Sequence, residues 1–192
     1  MDKLKKEALE RFIPIVRDKT AQALCQQCKL LQPRKILEIG TAIGYSALLM
    51  LKSCNAQVFT IEKNHERFLE AQSNLKDYIN EGRVKLFEDD ASAVLEQLVL
   101  QGEMFDFVFL DGPKGQYIHY LPNLYKLLNK NGVIFADNVK LLGLVNDESN
   151  VTHKNRAMVN NMKQFIDQIQ NNGLFDTQIF DIEDGYSISV KR

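Results

Sequence analysis

The sequence carries almost no net charge: 24 Lys and Arg against 25 Asp and Glu leave −1 over 192 residues. No global field therefore directs it to nucleic acid or to an anionic membrane. Cysteine is scarce and odd in number, at three, and the chain opens MDKLKKEALE without an apolar leader run. Together these predict a reduced, cytoplasmic setting and no disulfide framework. No stretch approaches the roughly 20 consecutive apolar residues of a membrane span. The three histidines, His65, His119 and His153, lack zinc-like spacing and read as surface or helix residues. Repeats, low-complexity segments and linkers are missing too. One domain over 1–192, opening on a helical segment at 1–30, is the expectation.

What is present is patterned. Short apolar runs KILEI (35–39), QVFTIE (57–62), VKLFE (84–88), FDFVFL (105–110) and GVIFA (132–136) alternate with SALLMLKSC, HERFLEAQSNLKDYI, ASAVLEQLVL and YLPNLYKLL, whose apolar residues recur at helical spacing. Strand and helix in alternation predict an α/β, Rossmann-like, doubly wound and mostly parallel sheet. The closing QIFDIEDGYSISVKR differs: two alternating segments flank Asp184-Gly185, predicting an antiparallel hairpin at the sheet edge and seven strands in all. Residues 140–160 read as a loop leading into the helix MVNNMKQFIDQI. Cys25 and Cys28 form a C-x-x-C within the helical run AQALCQQCKLL; with no second pair, the spacing reads as packing on one helix face.

Five strands each deliver a carboxylate at or just past the C-terminal end: Glu38, Glu62, Asp90, Asp111 and Asp137. Ligands of open α/β sheets bind outside those ends. Residues 62–111 hold twelve acids against five bases, so phosphates are disfavoured there, while a cationic centre and a ribose diol are welcome. The turn LEIGTAIGYS agrees. Gly40 and Gly44 are spaced G-x-x-x-G, short of the dinucleotide fingerprint, and no G-K-[ST] follows for a P-loop. Glu62, some twenty residues on, is placed to accept both hydroxyls of a ribose.

LEIGTAIGYS, the pair Asp111 and Lys114 in FLDGPKGQY, Asp137-Asn138 in FADNV and the closing EDGYSISVKR together resemble the cation-dependent class I S-adenosylmethionine O-methyltransferases, the family of catechol and caffeoyl-CoA enzymes. The resemblance covers about residues 14–192. AIGYS, D-x-x-KGQY and DNV followed by GLV are most similar to a bacterial branch, the tRNA 5-hydroxyuridine methyltransferases. Pro113 and Gly115 stand where the plant-type branch commonly has acids.

The resemblance implies that S-adenosylmethionine is the cofactor, with Glu62 on its ribose and Asp90 by its adenine. It places Val16, Gly40 and Ser46 on the methionine portion, with Glu38 among the cofactor-binding residues. Asp111 is implied to face both cofactor and metal, and Asp111, Asp137 and Asn138 to bind the ion. Two carboxylates and an amide oxygen suit Mg²⁺ or a similar divalent cation. A neutral hydroxyl is a poor nucleophile, so a bound cation that lowers its pKa, and Lys114 as base or as electrostatic partner of the oxyanion, would supply the activation. The expected acceptor is the wobble 5-hydroxyuridine in a tRNA anticodon loop, already unpaired and so reachable without a large basic groove. Lys140, Lys154, Arg156 and Lys163 are the candidate phosphate contacts. A small catechol-like or caffeoyl-CoA-like phenol is the alternative acceptor, and a non-catalytic S-adenosylmethionine-binding module a more distant one. A homodimer without membrane association is expected.

Overall fold

A computed structural model describes residues 1–145, 147, 149 and 151–192, and the chain forms two compact units, Met1–Val94 and Leu95–Arg192. In the first, α1 (Asp2–Glu10) and α2 (Asp18–Leu31) precede β1 (Lys35–Ile39), α3 (Tyr45–Ser53), β2 (Gln57–Glu62), α4 (His65–Asn74), α5 (Lys76–Asn80) and β3 (Val84–Glu88). The three strands are parallel in the order β3-β2-β1, with Ile39 level with Ile61 and Glu62 with Glu88. β1 and β2 are buried along almost their whole length, as parallel strands covered on both faces are. β3 exposes Lys85 and Glu88.

On α2, Thr20, Ala21, Leu24 and Cys28 form the buried stripe, and Cys25 is half-buried one turn before Cys28. Both cysteines therefore belong to helix packing, and both are free thiols. The run 65–79 is two helices, not one: the chain breaks at Leu75, which is fully buried with ψ near 2°. Arg11, just past α1, grips Glu70 on α4 through two hydrogen bonds of 2.6 and 2.8 Å, and Lys5 reaches Asp18 at 2.5 Å.

α6 (Ala91–Leu100) crosses into the second unit, which continues through β4 (Phe105–Leu110), a single 3-10 turn at Lys114–Gln116, α7 (Tyr117–Leu127), β5 (Leu128–Asp137), α8 (Arg156–Asn171), β6 (Phe175–Phe180) and β7 (Tyr186–Lys191). Its strand order is β4-β5-β7-β6: β4 and β5 run parallel, and β7 is antiparallel to both neighbours. The C-terminal hairpin is thus present, with a five-residue connection over 181–185. Aromatic rings carry its packing, Tyr186 stacking on Phe135 and on Phe180 at centroid distances of 4.8 Å each. Val159, Met162, Phe165 and Ile169 of α8 are buried on one helix face, each contributing about 1.5–3 kcal/mol of apolar burial.

β5 begins at Leu128, four residues before the apolar run that marked it. Pairing with β4 is interrupted after Leu128 and resumes at Val133; the intervening residues are polar, and Asn131 has φ 62°. Residues 139–145 form tight turns and 151–155 lead into α8, so the described part of 140–155 is a loop, whereas 156–160, read as loop in the sequence, already belong to α8. Positions 146, 148 and 150 lie outside the described residues. Among the described residues no helix is long and apolar enough to cross a membrane.

Candidate active site

In the first unit the turn after β1 winds through positive φ at alternate residues: Gly40 at 99°, Ala42 at 47° and Gly44 at 85°. Gly44 is the N-cap of α3, and a Cβ there would lie 3.1 Å from the Leu75 side chain, so glycine answers both a backbone and a space demand. Ala42 is held by charge. Its N–H donates to Glu62 Oε2 at 2.8 Å, and the Asn64 N–H donates to Oε1 at 2.8 Å. The Glu62 carboxylate, at the last residue of β2, is thereby fixed in orientation with further lone pairs left on each oxygen.

Behind this turn Glu38 is fully buried. It accepts 2.5 Å hydrogen bonds from the hydroxyls of Ser46 and Thr60, and Thr60 pairs with Thr41. The structure thus brings Glu38 and Ser46 together and places Glu38 behind the turn. Val16 is buried in the segment joining α1 to α2. Asp90 sits at the head of α6, accepting from Ser92 N at 2.9 Å and pairing with Lys63 at 3.0 Å. Lys63, and then the Ser92 N–H, hold its pKa below the ordinary aspartate value.

In the second unit Asp111 directly follows β4, and Asp137 closes β5. Lys114 Nζ donates to Asp111 Oδ1 at 2.6 Å and to the Tyr117 hydroxyl at 2.9 Å. Tyr117, fully buried, donates in turn to the Leu110 carbonyl at 2.8 Å, with the Asp137 carbonyl 3.2 Å away. Burial pulls the Lys114 pKa down, but the Tyr117 oxygen and the Asp111 carboxylate outweigh it, so the ammonium is held as a cation. Asp137 is almost fully buried, and its Oδ1 accepts from Asn138 N at 2.7 Å. Burial first, then the Asp111 charge, push its pKa up to about 7. Asn138 has φ 56°, a conformation asparagine tolerates better than most residues. Asp111 and Lys114, and Asp137 and Asn138, are thus the juxtaposed pairs of this unit.

Four further polar residues belong to these clusters and were assigned no role from the sequence: Thr60, outside the quoted motifs, and Thr41, Tyr117 and Asp184, which stand within them. Asp184, also buried, adds its charge to those raising Asp137. Among the described residues no group of three or more His, Cys, Asp or Glu is arranged to hold a metal; the set expected here has only two carboxylates, its third donor being an amide. The histidines are exposed on the surface, His65 pairing with Glu88 at 2.6 Å. Of the four candidate phosphate contacts, Lys154 and Arg156 are exposed. Lys140 is paired with Asp181 at 2.5 Å, and Lys163 is half-buried with a partner of its own.

The sequence model of one family, O-methyltransferases, matches residues 1–192. The chain belongs to that O-methyltransferase family. It is 34% identical over 134 residues to a catechol O-methyltransferase of Niastella koreensis, covering 68% of this chain and 59% of the relative. It is 32% identical over 142 residues to the O-methyltransferase ankF of Aspergillus thermomutatus, covering 71% and 59%. The chain thus spans about three fifths of the length of these curated relatives. Among solved structures, a candidate caffeoyl-CoA O-methyltransferase from Staphylococcus aureus superposes with a TM-score of 0.90 at 30% identity, over 100% of this chain and 91% of that one. The O-methyltransferase TomG of Streptomyces achromogenes, solved with S-adenosylmethionine, gives 0.84 at 25% identity over 96% and 85%. The fold is therefore the Rossmann-like, seven-stranded and mostly parallel one that the alternation of strands and helices implied.

Proposed function

We propose that the chain is an S-adenosylmethionine-dependent O-methyltransferase in which a divalent cation assists the acceptor hydroxyl. The observation that carries this reading is the polar cluster of the second unit. Of its two carboxylates, Asp111 pairs with Lys114, while Asp137 is almost fully buried, its pKa pushed up to about 7 by burial and by the Asp111 charge. Their oxygens and the Asn138 amide make a hard donor set that fits Mg²⁺. Asp111, Asp137 and Asn138 would hold such an ion, which lowers the pKa of a hydroxyl bound to it.

The chain's own groups set the rest. Lys114 is kept cationic by Asp111 and Tyr117; were Asp111 to pair with a bound cation instead, the ammonium would lose its counter-charge and its proton affinity would fall. Lys114 would then either take the acceptor proton or hold the oxyanion. In the first unit the pre-oriented Glu62 carboxylate suits the adjacent hydroxyls of a ribose, and Asp90 is read beside the adenine. Gly40, Ser46 and Val16 are read on the methionine portion, Glu38 acting by fixing Ser46. S-adenosylmethionine supplies a methyl group on a sulfonium centre.

The acceptor proposed is the wobble 5-hydroxyuridine of tRNA, supported by the similarity of AIGYS, D-x-x-KGQY and DNV to that branch and by exposed Lys154 and Arg156 at the start of α8. Relatives that are catechol and caffeoyl-CoA O-methyltransferases favour a second reading, a catechol-like or caffeoyl-CoA-like phenol. Nucleoside mass spectrometry of tRNA from cells lacking the gene separates them. Loss of 5-methoxyuridine with accumulation of 5-hydroxyuridine is the expected result. An unchanged profile, with turnover of a catechol by the purified protein, selects the phenol.

A further inference from the structure

The turn that carries Asn138 is strained. Asn138, Leu141 and Leu142 all have positive φ, 56°, 50° and 55°, in a stretch with a single glycine, Gly143, at its end. Left-handed backbone is unfavourable for side chains such as leucine, and persists where the surroundings over-determine it.

The surroundings here are two residues of the β6–β7 connection. The Val139 N–H donates to the Gly185 carbonyl at 3.0 Å, and the Lys140 N–H to the Asp184 carbonyl at 3.1 Å. The Leu142 N–H donates to the Asp184 carboxylate itself. Gly185 has φ 71°, and a Cβ on it would lie 2.6 Å from Lys140 Cγ, so the Lys140 stem lies directly over it. Val139 and Leu141 are buried, which anchors the turn from inside. Asp184 is only 8% exposed. A carboxylate is expensive to bury, and this one bonds a backbone amide of the strained turn.

We infer that Asp184 is a positioning residue of the proposed reaction: it clamps residues 138–142 in their left-handed course and so holds the Asn138 amide oxygen beside Asp137. This rests on the cation reading above, but it assigns to the C-terminal hairpin a part in ion binding that none of its own side chains plays by ligation. The role is played through a hydrogen-bond acceptor at Oδ1, so an amide oxygen in the same place serves equally, and a methyl group does not.

The test uses the full chain as wild type, Asp184→Ala and Asp184→Asn. Mn²⁺ binding is followed by electron paramagnetic resonance without any substrate, and amide hydrogen exchange by mass spectrometry over 138–145. Asp184→Ala is expected to weaken Mn²⁺ about 10- to 100-fold, as loss of an outer hydrogen bond to a ligand-bearing segment does, and to speed exchange in the turn. Asp184→Asn restores both. Mn²⁺ affinity unchanged in Asp184→Ala overturns the inference and leaves the cation reading standing. Asp184→Asn as weak as Asp184→Ala, with slow exchange, assigns Asp184 a charge role and overturns the positioning one. Wild-type protein that takes up no Mn²⁺ overturns the cation reading and this inference together.

Discussion

Removing the Glu62 carboxylate should weaken the fold as well as cofactor binding. A carboxylate at a strand end looks dispensable to stability, but this one accepts two backbone N–H groups at 2.8 Å, from Ala42 and Asn64, and is 9% exposed. A hydrogen bond to a charged acceptor contributes about 1.5–3 kcal/mol. Water recovers part of this once the side chain is gone, so Glu62→Ala should cost about 2–4 kcal/mol in all. At roughly 2–4 °C per kcal/mol for a chain of this size, the melting temperature should fall by about 4–16 °C. Ala42, at φ 47°, loses the contact that holds its strained conformation, and the Gly40–Gly44 turn loosens with it. Glu62→Gln keeps one acceptor but turns an NH₂ towards the other N–H, and should fall between wild type and alanine. Calorimetric unfolding measures the first effect. Titration with S-adenosylmethionine well below the melting temperature measures the second, a loss of affinity in both variants. A Glu62→Ala protein that melts within 1 °C of wild type would show that these two hydrogen bonds do not hold the turn.

Chelation with EDTA should abolish methyl transfer and Mg²⁺ should restore it; Asp137→Ala should cost more than about 100-fold in turnover while disturbing cofactor affinity less than Asp111→Ala does, and full turnover in EDTA refutes cation dependence. Tyr117→Phe removes the hydroxyl that Lys114 and the Leu110 carbonyl share, so kcat should drop and its pH profile shift with little change in cofactor affinity; an unmoved profile removes Tyr117 from Lys114's environment in the working enzyme. Cys25→Ser should leave stability and turnover within experimental error. Cys28→Ser, which puts a hydroxyl at a fully buried position, should lower stability by about 1–3 kcal/mol in thermal unfolding, and turnover lost from correctly folded Cys28→Ala would instead point to thiol chemistry.

The first four strands could be located to the residue because each is an apolar run bounded by polar residues, and because their carboxylates fall where the sheet ends. β5 could not, since its opening residues Asn129 to Gly132 bulge away from β4 and carry the composition of a turn. The break at Leu75 was invisible for the opposite reason: its leucine keeps the helical apolar spacing while its backbone leaves the helix. Of the site, Glu62, Asp111, Lys114, Asp137 and Asn138 stand in recognisable motifs, whereas their supports are distant in sequence. Thr60 meets Glu38 across 22 positions and Asp184 meets Leu142 across 42, separations at which periodicity says nothing. Tyr117 sits in the quoted KGQY, yet its part there, bridging the lysine to the end of β4, is a matter of rotamer and not of spacing.

The Lys114 ammonium, 2.6 Å from Asp111, gives the second unit a resident counter-ion. Its acids are partly neutralised by the chain itself, so on the proposed reading this part of the molecule would not need a metal in order to fold. On the proposed reading, a divalent ion arriving at Asp111 would exchange with a cation already there, and its net affinity would be the difference between two pairings. Occupancy would then follow the free-ion concentration of the surroundings instead of being locked in at synthesis, and washing the ion away would leave a folded protein ready to be reloaded.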